Sequence, residues 1–283
     1  MTQQHFHVVI VGAGPAGLGA GLFTARYGLR TLLFDCGKSV LKQCAYLDNY
    51  LGFPGGIDAD QFLASARAHV LEAGCQIARR RVVSVQRAPH GPARFVVTTN
   101  TGECALADRV IAASGFVAPY LLGLEAQLVD SEGELRPGAV ANHGRTAVEG
   151  LYLAGCLSGA ESQAMISAGH AAQVALELVR DVRQEGGLWE ALARYLDWQV
   201  RRGTYDRESW VERVRAYFEP LVRAESEHDR TAFEAQLARW ISAKRAQQLD
   251  TSEVKQRRGR ARELRGAVSP HTASPVQTGL EGS

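Results

Sequence analysis

The stretch FHVVIVGAGPAG, Phe6 to Gly17, changes character twice within a dozen residues. A short apolar, β-branched run of the kind that fills a buried strand gives way to three glycines, Gly12, Gly14 and Gly17, at GxGxxG spacing. Helical spacing then takes over from Leu18 to Tyr27, and LRTLLFD supplies a second strand that ends in Asp35, 18 positions beyond Gly17. The result is a βαβ opening with its glycines at the strand-to-helix turn. The first glycine permits the tight turn, the second brings the backbone close to a pyrophosphate, and the third lets the helix pack on the strand. A helix opening at Pro15 and Ala16 directs free N–H groups and the positive end of its dipole at the phosphates. Asp35 is placed to accept hydrogen bonds from a ribose, and its charge is expected to repel a 2′-phosphate, which disfavours NADP there.

Downstream, residues 36–57 lack periodicity and close in NYLGFPGGI, a Gly/Pro-rich loop, before a helix spaced on Phe62, Ala66, His69, Val70 and Ala73. Short strand-like segments at 81–86, 94–99 and 109–113, separated by HGP and TNTG turns, predict an antiparallel meander feeding a return strand. Residues 150–154 read as one more buried strand and 164–182 as a long apolar helix. From Leu188 onward only helical spacing appears, in Trp189 to Val200, Trp210 to Val222 and Arg230 to Gln248. The fold class expected is α/β: a Rossmann-like dinucleotide domain over 1–185, with a mostly parallel sheet and a small antiparallel meander. A helical extension over 186–265 and a disordered Gly/Pro/Ser-rich tail over 266–283 follow.

Length and composition narrow the classes further. A chain of 283 residues with 46% hydrophobic and 22% charged residues buries a real core and is not disordered as a whole. Apolar runs stop well short of the ~20 residues that a membrane helix needs. No signal peptide is read at the N-terminus, and a cytoplasmic location is expected. The five cysteines, at 36, 44, 75, 104 and 156, form no CxxC and no zinc-like cluster, so neither a disulfide framework nor a metal site is signalled. Formal charge is +2, yet Lys255 to Arg265 alone contributes +5, leaving the rest at −3. That run lacks interleaved aromatics and reads as a solvated helix rather than a nucleic-acid contact. The aromatic C-terminal helices suit a lid or a homodimer surface, or a cover for sheet left exposed.

Taken together, GAGPAG with Asp35, the NYLGFPGGI loop, AASG at 112–115, GRTAVEGLYLAGCLSG at 144–159 and QAMISAGHAAQVA at 163–175 resemble the FAD-binding domain of low-molecular-weight thioredoxin reductases. The resemblance runs from about Phe6 to about Val182. It implies FAD as cofactor, with the pyrophosphate on Gly12, Gly14, Pro15, Ala16 and Gly17 and the adenosine ribose on Asp35. It also implies that Ala113 and Gly115 line the site. Gly155 and Cys156 would then meet the ribityl chain, and Gln163 and Ala164 would lie beside the isoalloxazine. Asn49, Tyr50 and Phe53 either pack on that ring or fix the Gly/Pro loop, and the match to the family's Asn-Tyr-x-Gly-Phe-Pro pattern favours the ring.

Departures from the family pattern are as informative as the matches. Gly144 stands only 29 positions after Gly115, where family members insert a second nucleotide domain carrying the redox CxxC. Cys156 stands where the family has Asp, and a thiol is a poor substitute for a carboxylate acceptor. Cys156 and Cys44 are therefore the thiols with a conceivable catalytic part, against the plainer reading of Cys156 as a small buried side chain. His143 and His170 are titratable near neutrality but read equally as surface or cap residues. Three readings stay open: an FAD-dependent oxidoreductase with an external donor, either a pyridine nucleotide or a small electron-transfer protein, and an unknown acceptor; a non-catalytic FAD module with a helical partner surface; or an NAD-binding protein using the first βαβ unit alone.

Overall fold

The computed structural model describes residues 4–44, 46–124, 127–185, 211–213, 215–216, 219, 227–246 and 251–268. The chain divides into two units, Met1–Arg183 and Gln184–Ser283, each described by itself.

The opening run forms β1 (Gln4–Val11), and the glycine turn leads directly into α1 (Pro15–Arg26). Next come β2 (Thr31–Phe34), a two-stranded ribbon of β3 (Tyr46–Leu47) and β4 (Ile57–Asp58), and α2 (Ala59–Glu72). Asp58 caps α2, its carboxylate accepting the Gln61 N–H at 2.9 Å. Beyond lie β5 (Gln76–Ala78), β6 (Val82–Arg87), β7 (Phe95–Thr99), β8 (Cys104–Ala112), β9 (Leu151–Leu153) and α3 (Ala164–Glu185). The main sheet runs β5-β2-β1-β8-β7-β6, with β9 also paired to β8.

The expected meander is present: β6, β7 and β8 pair antiparallel, and β8 then runs parallel to β1. Strand β8 is longer than its apolar C-terminal half suggested, because Cys104 to Ala107 pair with β7 while Val110 to Ala112 pair with β9. Two partners thus share successive stretches of the same strand.

Alternation along β1 feeds two cores. Val8 and Ile10 join Leu33 and Ile111 beneath α1, α2 and α3, where Ala171, Val174, Ala175 and Leu178 form the buried stripe of α3. Val9 and Val11 face the other side with Leu32, Phe34, Val110 and Leu153. That second face is covered by Ala118, Tyr120, Leu121, Leu124, Leu128, Val129 and Val148, so the segment joining β8 to β9 works as a packed layer. Burying one such aliphatic side chain contributes roughly 1.5–3 kcal/mol over leaving it in water.

The same segment is fastened to α3 by an ionic network. Arg145 donates to Glu177 at 2.9 Å through Nη2 and to Asp181 at 2.6 Å through Nη1, while the Tyr152 hydroxyl also donates to Asp181. Burial alone would lower the Arg145 pKa, but the hydrogen bonds to Asp181 and Glu177 outweigh it and raise the value. Arg145 is 42% exposed, so water screens part of its pairing. An Arg145→Ala variant, which removes the cation shared by Glu177 and Asp181 and leaves Glu177 paired with Arg180 alone, is expected to lose roughly 1–2 kcal/mol in urea unfolding at neutral pH. The loss should shrink with falling pH as Glu177, whose burial is outweighed by its bonds to Arg145 and Arg180 so that its pKa is lowered, takes up a proton.

In the second unit, α4 (Glu227–Ala246) buries Phe233, Leu237 and Ile241 at four-residue intervals. The basic run lies in α5 (Thr251–Val268), with Lys255, Arg257, Arg258, Arg260 and Arg262 exposed. This helix extends three residues into the stretch expected as a tail; residues 269–283 lie outside the described residues, as do Trp189 to Val200 and most of 210–222. No helix among the described residues is long and apolar enough to cross a membrane.

Candidate functional site

Parallel register brings four strand ends to one level. Val11 pairs with Phe34 and with Ala112, and Ala112 with Leu153. The residues that follow, Gly12, Asp35, Ala113 and Ala154, therefore gather along one carboxyl edge of the sheet, where open α/β folds bind ligands. All four line a cavity of about 410 Å³, a size ordinary for a small-molecule site.

The glycine turn has little freedom to be anything else. Gly12 holds φ +108°, and a Cβ there would lie 2.4 Å from the Ala113 carbonyl oxygen; a Cβ on Gly17 would lie 1.7 Å from the Gly12 oxygen. Gly14, at φ −79°, is the N-cap of α1 with no side-chain cap, and the first turn holds no acidic residue. The amides and the positive dipole end of α1 thus meet the cavity with no side chain of the helix's own first turn to neutralise them.

Of the residues named from sequence, Gly12, Gly14, Pro15, Ala16, Asp35, Ala113 and Gly115 line this cavity. On the far side Cys156, Gln163 and Ala164 do so too, as does Cys44. Gly17 and Gly155 shape the turns behind the wall. A Cβ on Gly155, at φ +69°, would meet Ala16 Cβ at 2.6 Å, locking the late turn against the glycine loop. Asn49 does not line the cavity but donates through Nδ2 to Gln163 Oε1 at 2.8 Å, positioning that residue.

Two expectations need revising. Tyr50 and Phe53 do not face the cavity; they pack on Phe62 of α2, with ring centroids 4.7 and 6.2 Å from it. Asp35 is not an open acceptor: it is buried, Oδ1 accepts the Gly37 N–H at 2.6 Å, and Oδ2 faces Arg67 at 3.1 Å and Arg79 at 3.4 Å. Oδ1 keeps a second lone pair for a ribose hydroxyl, but the negative charge is already matched by arginines.

Several wall residues escaped sequence reading. Ser167, on the turn of α3 after Ala164, approaches Cys156 Sγ at 3.5 Å and places a hydroxyl where the thiol is a poor acceptor. Ser39 caps Leu41 at the edge of the glycine loop. Tyr120 reaches the cavity from the β8–β9 segment, its hydroxyl donating to Ser114 Oγ at 2.8 Å, and burial first of all pushes its phenol pKa upward. Helical spacing from Ala164 was a usable signal for Ser167; nothing local marks Tyr120, since long-range packing brings it in. Cys44 and Cys156 share the cavity as free thiols, whereas Cys75 is buried and pushed up to about 12. Among the described residues no group of His, Cys, Asp and Glu is placed to hold a metal.

His170 serves the late turn. The Gly155 N–H donates to His170 Nδ1 at 3.1 Å, so that nitrogen must be the unprotonated one and the neutral ring carries its proton on Nε2. Burial, and then His143, lower the His170 pKa below its ordinary 6.5. The unfolded chain takes up this proton before the folded one does, so the stability contribution is complete above pH 6.5 and falls as pH drops below it. Thermal melts are expected to show a falling Tm from pH 6.5 toward 5.5. His170→Asn, which keeps an acceptor but cannot titrate, should flatten that slope.

Residues 6–127 match the family model described as pyridine nucleotide-disulphide oxidoreductase. The chain is 35% identical over 117 residues to the bifunctional thioredoxin reductase/thioredoxin of Mycobacterium leprae, covering 40% of this chain and 25% of that protein. It is 32% identical over 123 residues to the thioredoxin reductase of Mycolicibacterium smegmatis, covering 42% and 38%. The chain thus spans well under half the length of these curated relatives. In fold it is similar to a thioredoxin reductase from Gloeobacter violaceus, with TM-score 0.54, 18% identity, and coverage of 65% of this chain and 97% of that one. The atypical thioredoxin reductase TRi from Desulfovibrio vulgaris Hildenborough gives TM-score 0.52 at 18% identity, covering 66% and 100%.

Proposed function

We propose that this chain, whose residues 6–127 match the pyridine nucleotide-disulphide oxidoreductase model and are similar to thioredoxin reductases, is an FAD-dependent oxidoreductase module of the cytoplasm that takes electrons from an external donor. One observation carries the reading: four strand ends converge on a cavity into which α1 directs its amides with no side-chain cap and no acidic residue in its first turn.

The residues present fit the cofactor. The N–H groups of Gly14, Ala16 and Gly17 suit the diphosphate, Pro15 having none, because bare backbone approaches it and the helix dipole favours its charge. Asp35 Oδ1 keeps one acceptor position toward the ribose, and Ser167 offers a hydroxyl beside Cys156 for the chain that leads away from it. Gln163, held by Asn49, stands at the start of α3, whose N-terminus favours negative charge developing nearby. When bound, the flavin supplies reversible uptake of a hydride or of two single electrons. The protein's part is to seat and orient it; the donor is a pyridine nucleotide or a small electron-transfer protein, and no side-chain nucleophile is assigned beyond the two thiols, Cys44 and Cys156, at the cavity wall.

The absorption spectrum of the purified full chain tests this. A flavin spectrum, or FAD uptake on reconstitution, followed by anaerobic bleaching with NADPH, NADH or reduced ferredoxin, is the expected result. Failure to take up FAD overturns the reading; firm binding with no bleaching by any donor reduces the chain to a flavin-holding module.

A further inference from the structure

The expectation that Asp35 excludes a phosphate from the ribose end assumed an exposed, uncompensated carboxylate. The carboxylate is 3% exposed and caged: Gly37 N–H on one oxygen, Arg67 and Arg79 on the other. Gly37 is part of the cage, because at φ +78° a Cβ there would stand 3.0 Å from Arg79 Nη2. Two guanidinium groups against one carboxylate leave the cage with net positive charge.

The cavity wall adds to that sign. Asp35 is the one acidic residue among those lining the cavity, against three cations, Lys38, Arg80 and Arg81. Arg80 is engaged with Glu103 at 3.0 Å, whereas Lys38 and Arg81 form no ion pair among the described residues. The Arg81 backbone is fixed by mutual hydrogen bonds with Asn100, its N–H to Asn100 Oδ1 at 3.1 Å and its carbonyl from the Asn100 N–H at 2.8 Å. Lys38 and Arg81 approach the cavity from the loops after β2 and β5, the two strand ends that border the ribose position. Cations without partners on a concave wall attract phosphate through charge-assisted hydrogen bonds, and the usual repulsion is absent because the carboxylate is already neutralised.

Resting on the reading that this groove takes an adenine dinucleotide, we infer that its ribose end accepts a phosphomonoester carried on the adenosine ribose, bound by Lys38 and Arg81. Nucleotides of the NADP type, or with a 3′-phosphate of the coenzyme A type, then compete with FAD for the groove, and the phosphorylated form is preferred over its plain counterpart.

Isothermal titration of the full apo chain with NAD+ and NADP+, which differ only in the 2′-phosphate, tests this. Adenosine 3′,5′-bisphosphate against AMP forms the 3′ arm. At least tenfold tighter binding in one arm is expected, and that arm identifies which phosphate position the site reads. The preference should fall to within about twofold in a Lys38→Ala/Arg81→Ala double variant and shrink with added salt. Equal affinities in both arms, or a preference that survives the double variant, overturns the inference. FAD titrated in the same buffer separates the two claims: FAD binding without phosphate preference defeats this inference alone, and phosphate preference without FAD binding defeats only the flavin assignment.

Discussion

Gly14→Glu is expected to abolish FAD uptake, weakening it at least about 100-fold, while the chain remains folded. The backbone at Gly14 is extended and tolerates any residue. A Cβ there meets only Ser39 Oγ at 3.2 Å, the end of a side chain that can rotate away. A glutamate at this N-cap places its carboxylate in the cavity, against the very amides assigned to the diphosphate. It satisfies them from within the protein and repels an incoming anion. A 100-fold loss corresponds to about 2.7 kcal/mol, the scale of one displaced charge-assisted contact set. Fluorescence titration with FAD measures the loss, and a Tm within a few degrees of the parent confirms that the fold is intact. Unchanged FAD affinity would show that the cofactor does not sit at the head of α1.

Gly17→Ala is expected to act on the fold itself, at about 3 kcal/mol or more in chemical unfolding. A methyl group there is alanine's gain in helix propensity, worth about 1 kcal/mol in favour of the variant. The added carbon, however, stands 1.7 Å from the Gly12 carbonyl oxygen, and that oxygen belongs to a turn held by Gly12 N–H to Phe34 O at 2.9 Å. Strand and helix must separate by more than an ångström, which also opens the groove. Sterics therefore outweigh propensity, and FAD uptake should fall together with stability. A variant as stable as the parent would mean that the β1–α1 turn is looser than its geometry indicates.

The backbone of the site was legible in the residues because its chemistry is local: a glycine turn between a strand and a helix declares itself within twelve positions. The return strand and the late turn were also legible, since their short motifs sit next to apolar runs. What escaped was decided by distant partners. Whether Asp35 faces ligand or protein depends on Arg67 and Arg79, 32 and 44 positions away. Tyr50 and Phe53 were read toward the ligand, but Phe62 offered them a drier partner. Strand β5, three residues long, carries too little pattern to be seen and exists because β2 offers it an edge. The segment joining β8 to β9, whose residues 130–142 read as polar and glycine-containing, packs as a layer because its scattered apolar residues converge only in three dimensions.

That layer also puts Pro119 and Tyr120 into the wall of the ligand cavity, packed against β6. Whatever occupies the groove therefore shares a boundary with the segment that shields one face of the sheet, and thermodynamic reciprocity follows. By the factor that seating this segment strengthens the ligand's hold, the ligand must strengthen the segment's seating, so cofactor loading and closure of the hydrophobic layer behave as two readings of one equilibrium.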